Sequence, residues 1–354
     1  MKVGFFVYNF FGYSGASTQA QKIAKSVNCD VIVFNHCNGS YSCSVVDGLT
    51  IVTLPKSKFL KIFYILYHCI RNRVSILHLH GFFVHGLLLA KFMKFRVVLK
   101  TTLLGGDDFD SLKKRYPEWL FRFLIGAVNR NVVLSSELMN INAKHIDPKA
   151  IVAIANCVKN TIEIDLNSKE NLFCYVGLIC ERKRTKESIR YFLKNYADIP
   201  GAKFVLCGPL KNDGTISELD DNYITECIDL AKSSSYADSI EFLGMVSSDQ
   251  VEEIFTKAKA LLFFSDKEGM PNVVLEAMSR NCVPITRSMY GVMQEIWGEQ
   301  SKFILNTLDE SISIEEVDLA INKKICVERV KQAFSLEVVS SNYDQLYESI
   351  ANES

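Results

Sequence analysis

Two glutamates and a short turn concentrate the chemistry this sequence can offer. Glu268 and Glu276 stand in the run Ser265-Asp-Lys-Glu-Gly-Met-Pro-Asn-Val-Val-Leu-Glu-Ala-Met-Ser279. The apolar run Ala260-Leu-Leu-Phe-Phe264 before them reads as a buried strand. Gly269 and Pro271 break that strand, and Pro271 suits a first helical residue. Asn272 to Ser279 then reads as the opening of a helix. The first amides of a helix have no intrahelical partner and favour an anion. Gly269, Met270, Pro271, Asn272 and Val273 thus form a turn able to receive a phosphate. Glu268 lies on the loop before it and Glu276 within the helix. Carboxylates for hydroxyls and amides for a diphosphate together suit a nucleoside diphosphate carrying a sugar. Solvated helix charges would also give two glutamates at this spacing, so the surrounding frame carries the reading.

Other constellations are weaker alone. Glu181-Arg-Lys-Arg184 follows the strand ending near Gly177, and Arg182 and Lys183 could neutralise a diphosphate leaving group. A solvated basic surface is the plainer alternative. His78 and His80 share one face of a strand, because side chains alternate with period two. His80, at the carboxyl end, is expected at the edge of a ligand cleft. No third ligand lies at metal spacing, so a zinc pair is not expected. Gly12 and Gly15 would let backbone amides approach a phosphate or sugar, or simply turn strand into helix. Asp108 and Asp110 form an Asp-x-Asp pattern that could hold Mn²⁺ or Mg²⁺ in a metal-dependent transferase. The same acidic residues also suit the first turn of a helix.

These residues need strands and helices to position them. In the first half, strands are expected at Val3–Tyr8, Val31–Phe34, Leu49–Leu54, Ile76–His80, Val97–Thr101 and Asn131–Leu134. Helices are expected at Ser17–Val27, Phe59–Arg71, Val84–Lys94, Leu112–Ile125 and Ser136–Ala143. The second half repeats the alternation, with strands at Leu172–Val176, Lys203–Cys207, Ile240–Leu243, Ala260–Phe264 and Val283–Thr286. Its helices are expected at Lys186–Asn195, Ile224–Ser233, Ser248–Thr256, Asn272–Arg280 and Val292–Trp297. A last helix covers about Ser335–Ile350. This is a doubly wound α/β pattern occurring twice, with the polar stretch Asn160–Asn171 as linker. Two such sheets offer ligand sites at the carboxyl ends of their strands.

Length and composition agree with two globular domains. The chain has 354 residues, 48% hydrophobic and 23% charged. Eleven scattered cysteines without CxxC pairs imply reduced thiols and a cytoplasmic location. Lys2 followed by Val3 to Phe11 imitates a leader peptide, but reads better as a first strand entering a glycine loop. No apolar run reaches the ~18 residues of a membrane span. Residues 1–170 hold 21 Lys/Arg against 11 Asp/Glu, and the remainder 19 against 29, completing totals of 40 and 40. Halves of about +10 and −10 imply different partners. Lys56 to Arg73 interleaves basic and bulky apolar residues at helical spacing. That suits an anionic membrane surface, or a core-packing helix with basic ends. Binding of nucleic acid is not expected.

The segment 240–298 closely resembles the Glu-x7-Glu motif of the retaining GT-B glycosyltransferases of family 4, with Ala277, Met278, Pro284, Gly291 and Glu295 in place. Weaker likenesses are Gly12–Gly15, Leu77-His-Leu-His-Gly81, Cys174-Tyr-Val-Gly177 to Lys183, and Ile154-Ala-Asn-Cys-Val158. The resemblance implies a GT-B fold of two Rossmann-like domains. Residues 1–165 would bind acceptor and 166–334 nucleotide-sugar, with 335–354 packing back on the first domain. Glu268, His80 and Lys183 would be catalytic. Gly15, Arg182, Lys183, Gly269, Met270, Pro271, Asn272, Val273 and Glu276 would bind donor, and Glu276 the ribose. Gly105, Gly106 and Asp107 read as an acceptor-facing loop. The implied reaction moves a sugar, from a UDP-sugar, to a glycan or lipid-linked saccharide of bacterial-type surface polysaccharide. It needs no metal and no cofactor; the basic first half, not the resemblance, suggests a place at the inner face of a membrane. Leu178 departs from the pattern, which has Arg there. Asn156-Cys157-Val158 departs as well, lacking the usual Pro and Gly. A catalytically silent nucleotide-binding or partner subunit fits these departures.

Overall fold

The computed structural model describes residues 1–12, 14–159, 165–214, 216–298 and 301–353. The chain divides into two compact units, Met1–Cys157 with Leu336–Ser354, and Val158–Ser335.

The first unit begins with β1 (Lys2–Tyr8), α1 (Gly15–Ala24), β2 (Asp30–Gly39), β3 (Ser42–Val46) and β4 (Leu49–Pro55). It continues through α2 (Lys58–Arg71), β5 (Ile76–His80), α3 (Val84–Met93), β6 (Arg96–Lys100), α4 (Phe109–Arg115) and α5 (Glu118–Ile125). β7 (Arg130–Val133), α6 (Ser136–Asn142) and β8 (Ile151–Ala153) follow. The sheet order is β3-β4-β2-β1-β5-β6-β7-β8, parallel except for β3. The inner strands are apolar on both sides because helices cover both faces, whereas the edge strand β3 is exposed. One face packs Phe6, Leu77 and Leu79 against Ile65, Leu87 and Phe121 of α2, α3 and α5. The other packs Phe5, Val33 and Val98 against Ala20 of α1 and against Val339, Tyr343, Tyr347 and Ile350. Those four belong to the final helix, Leu336–Asn352, so the end of the chain completes this unit's core.

The second unit contains β9 (Glu170–Val176), α7 (Thr185–Asn195), β10 (Lys203–Cys207), α8 (Asp221–Lys232), β11 (Ile240–Gly244) and α9 (Ser248–Lys257). Then come β12 (Ala258–Phe263), α10 (Asn272–Ser279), β13 (Val283–Arg287), α11 (Val292–Trp297) and β14 (Ile304–Leu305). α12 (Ile314–Asn322) and α13 (Ile325–Ala333) end it, and the final helix is α14. Its sheet order is β11-β10-β9-β12-β13-β14. Strand order reverses direction between β9 and β12 here, and between β1 and β5 in the first sheet. At such switch points neighbouring loops diverge and leave room for a ligand.

Several expectations are corrected. Leu112–Ile125 is two helices, because Pro117 has no amide to donate and forces Tyr116 to an extended conformation. Pro271 caps α10 from outside, the helix starting at Asn272. Of the expected linker, 160–164 lie outside the described residues, Leu166–Ser168 form a 3-10 turn, and Glu170 and Asn171 already belong to β9. Lys169 anchors that entry: its ammonium donates to the carbonyls of Phe255, Ala258 and Arg280 at 2.8–2.9 Å, tying β9 to the ends of α9 and α10.

Candidate active site

In the second unit the β9 and β12 loops meet at the switch point. The chain leaves β9 through Gly177, whose φ of +154° favours glycine. Gly208 after β10 is required more strictly, since a Cβ there would stand 2.0 Å from the Gly177 carbonyl oxygen. The loop then forms a 3-10 turn, Glu181–Lys183, and the amide of Asp266 donates to the Arg182 carbonyl at 2.9 Å. This backbone bond aligns the two loops. Glu268 receives hydrogen bonds from Ser265 Oγ at 2.7 Å, Lys183 Nζ at 2.5 Å and Arg182 Nη1 at 3.1 Å, all on Oε1. Its side chain is 12% exposed and that of Lys183 13%, so screening by water is limited. Arg182 also grips Glu218, with Nη2 at 2.6 Å and Nε at 3.0 Å from Oε2. Lys183 lies over the Phe263 ring, 4.9 Å from its centroid.

A second group of paired charges lies on this edge. Asp266 accepts from Arg184, and from Arg287 Nη1 at 3.0 Å. Sequence reasoning missed Glu218, Asp266 and Arg287; Asp266 stands two residues before Glu268 in its run, Glu218 and Arg287 lie in no motif, and only the fold gathers the three. α10 starts directly after the Gly269-Met270-Pro271 turn, carrying Asn272, Val273 and Glu276. Leu178 offers only its backbone here, its carbonyl accepting from Tyr175 Oη at 2.6 Å. One carboxylate held through its Oε1, two cations and a helix start thus share one edge. Such a set can hold hydroxyls and a diphosphate.

In the first unit His78 and His80 do lie on one face of β5, with ring centroids 4.1 Å apart. His80 is the last residue of β5, at its carboxyl end. Its ring is buried on the face covered by α14 and lies 5.0 Å from the Phe5 ring. Period-two alternation forces it onto the side of His78, whose Nδ1 pairs with Tyr347 Oη at 2.6 Å. Lys100, paired in register with His80, is also buried. Its ammonium donates to Asn156 Oδ1 at 3.1 Å and lies 5.7 Å from the Tyr343 ring centroid. Burial pushes Lys100 down to about 8, against the raising effect of the Cys157 and Asp107 charges. Burial, then the charge of Lys100, pushes His78 well below its usual range; burial, then the charges of His78 and Lys100, does the same to His80.

The aspartates of the Gly105-Gly106 loop are committed to protein partners. Asp107 accepts from the amides of Thr102 and Leu103 and from Thr102 Oγ1, at 2.7–3.0 Å. It therefore shapes the Gly105-Gly106 loop rather than extending a free carboxylate from it. Asp108 caps α4 through the Ser111 amide and also accepts from Gly105 N at 2.6 Å. Asp110 pairs with His145 at 2.6 Å and Lys144 at 3.3 Å. The Asp108/Asp110 pattern is thus drawn to two separate sets of partners. Gly15 is the first residue of α1, after the cap formed by Ser14 on Ser17 N.

Residues 159–334 match the family model of the glycosyl transferases group 1. A phosphatidylinositol N-acetylglucosaminyltransferase gpi3 subunit from Schizosaccharomyces pombe is 23% identical over 80% of this chain. A Campylobacter jejuni α-1,4-N-acetyl-D-galactosaminyltransferase, named for a diNAcBac-PP-undecaprenol trisaccharide, is 25% identical over 58% of it. The matches cover 63% and 56% of those two relatives. Among solved structures, Anabaena HepE in complex with UDP and glucose superposes with a TM-score of 0.70 at 12% identity, covering 99% of this chain and all of that one. The fold is GT-B, two Rossmann-like units with parallel sheets.

Proposed function

We propose that this chain is a retaining, metal-independent glycosyltransferase that moves a sugar from a UDP-sugar to a glycan or lipid-linked saccharide of a surface polysaccharide. The carrying observation is Glu268, held at the second sheet's switch point by Ser265, Arg182 and Lys183, beside the start of α10. The second unit would bind the donor and the first the acceptor. An incoming diphosphate competes with Glu268 for Arg182 and Lys183. That exchange would release the carboxylate to accept hydroxyl protons of the sugar. In the reaction the bond from the anomeric carbon to phosphate breaks and a bond to the acceptor oxygen forms on the same face. The acceptor proton passes to the departing phosphate, whose charge Arg182 and Lys183 stabilise. Names of the relatives support a lipid-linked acceptor, and that of HepE supports UDP. The basic first unit would hold the enzyme at the inner face of an anionic membrane.

A panel of UDP-, GDP- and ADP-sugars in thermal unfolding should show the largest rise with a UDP-sugar. Transfer to a lipid-linked saccharide should persist in excess EDTA with the anomeric configuration kept. Loss in EDTA restored by Mn²⁺ would refute metal independence. Binding of nucleotide without turnover on any acceptor would favour the silent subunit, the reading that Leu178 supports.

A further inference from the structure

We propose that the switch point of the first sheet carries a platform for a saccharide bearing a phosphate, with Tyr8 as the stacking face and Lys61, Lys58 and His85 as the phosphate side. This rests on the reading of the first unit as the acceptor-binding one.

Tyr8 is the last residue of β1, and Phe83 follows the end of β5 by three residues. Those two strands are the pair between which the sheet order reverses. Tyr8 is 56% exposed, yet its ring is fixed by stacking on buried Phe83, with centroids 4.1 Å apart and planes at 19°. It is also in register with His36 of β2, whose ring lies 5.6 Å from it and 4.6 Å from Phe83. An exposed ring held rigid costs little further ordering when a ligand packs on it. The apolar face of a pyranose has the size and chemistry to do so.

The second observation is polar. His36 is buried, and its Nε2 has no hydrogen-bond partner among the described residues. Burial, then the charges of Lys61 and His85, lowers this imidazole to about 3, so it is neutral at working pH. A neutral imidazole can either donate to or accept from a hydroxyl. Buried polar atoms are ordinarily satisfied, and a ligand site is one reason for an exception.

The third is charge. Residues 48–106 contain nine Lys/Arg and no Asp/Glu. The charge of Lys61 reaches both His36 and His85, and that of Lys58 reaches His85. A neutral sugar would need no such surroundings. A phosphate ester would be drawn to them, whether it is a free sugar phosphate or the headgroup of a lipid-linked saccharide.

Calorimetry on the full chain with UDP present, to occupy a nucleotide site, tests this. The probes are N-acetylglucosamine 1-phosphate, its short prenyl ester, N-acetylglucosamine and inorganic phosphate. The sugar phosphate should bind at least about tenfold tighter than either fragment. Tyr8→Ala should weaken the sugar and the sugar phosphate about tenfold but spare inorganic phosphate, while Tyr8→Phe keeps the stack and the affinity. Lys61→Ala should do the reverse, sparing the neutral sugar. If the prenyl ester binds and shares the Tyr8 dependence, the source is a lipid headgroup; if only the free ester binds, it is a soluble sugar phosphate. Unchanged sugar-phosphate affinity in Tyr8→Ala, with circular dichroism showing a folded variant, would overturn the platform. Failure of UDP itself to bind would instead count against the glycosyltransferase reading.

Discussion

His78 Nδ1 lies 2.6 Å from the hydroxyl of Tyr347, joining β5 to α14 across 269 residues of sequence. Both side chains are buried, and His78 Nε2 has no partner among the described residues. Tyr347→Phe would leave the ring with neither nitrogen bonded. A buried polar group stripped of its partner costs ~1–3 kcal/mol. Urea unfolding should show a loss of that size for Tyr347→Phe, and partial recovery when His78→Phe is added. A loss below ~0.3 kcal/mol, within the scatter of neutral surface changes, would mean the bond does not hold α14.

Glu268 and Glu276 should separate in kinetics. Glu268→Gln keeps the shape but weakens acceptance from Lys183 and Arg182, and should lower kcat at least about tenfold, ~1.4 kcal/mol of barrier. Glu276→Ala should mainly raise the donor KM. Steady-state rates equal to those of the parent in both variants would remove the site assignment.

Lys183 is proposed to exchange Glu268 for a diphosphate oxygen, as a point charge. Lys183→Ala should therefore weaken UDP more than uridine. Equal losses for the two ligands in calorimetry would show that the ammonium does not reach the phosphates.

Lys100 gives a pH signature. Its folded pKa is about 8 against an ordinary value of 10.5. Between those values the unfolded chain binds more protons, so this group's contribution makes stability rise with pH across about 8 to 10.5. Below about 8 the ammonium is charged in both states and its burial cost is paid in full. Buried thiols such as Cys69, pushed up to about 12, oppose the trend in the same range. The readout is thus the difference between wild type and Lys100→Met. The stability gained by Lys100→Met should shrink as pH rises from 7.5 to 10. A difference constant with pH would mean that Lys100 keeps its ordinary pKa.

Most strands were legible because parallel sheets buried on both faces leave unbroken apolar runs. Ile76–His80 and Lys203–Cys207 match their expected bounds. β3 was not legible that way: Ser42–Val46 is exposed throughout and forms an antiparallel edge. Its signal was the turn, since Asp47 and Gly48 both have positive φ, as an Asp-Gly hairpin turn requires. α12 and α13, after the last recognised motif, were also unread, although Ser313 and Glu316 make a capping box. At the site, Glu268, Arg182 and Lys183 could be named from their motifs. Their mutual pairing could not, because it depends on β9 lying beside β12, a contact no local pattern encodes.

Membrane attachment is the prediction with the widest consequence. α2 does two jobs: Ile65, His68 and Cys69 are buried, while Phe59, Phe63, Tyr67 and Ile70 are exposed along one face. α3 and α5 in the same layer add Phe92 and Trp119, exposed at 74% and 72%. Large exposed apolar patches mark interaction surfaces. The surrounding stretch, 48–106, carries no acidic residue. Among the described residues no helix is long and apolar enough to cross a membrane, so attachment would be at a surface. Each Lys or Arg near an anionic surface contributes about 1 kcal/mol, and salt screens it over roughly 8 Å at physiological strength. The full chain should cosediment with vesicles rich in anionic lipid at low salt, and less at high salt or with neutral vesicles. Phe59→Ser with Phe63→Ser should weaken binding without changing its salt dependence. Lys56→Ser with Lys58→Ser should reduce that dependence. Absence of binding to anionic vesicles at low salt would remove the membrane from the proposal and leave a soluble or protein-borne acceptor.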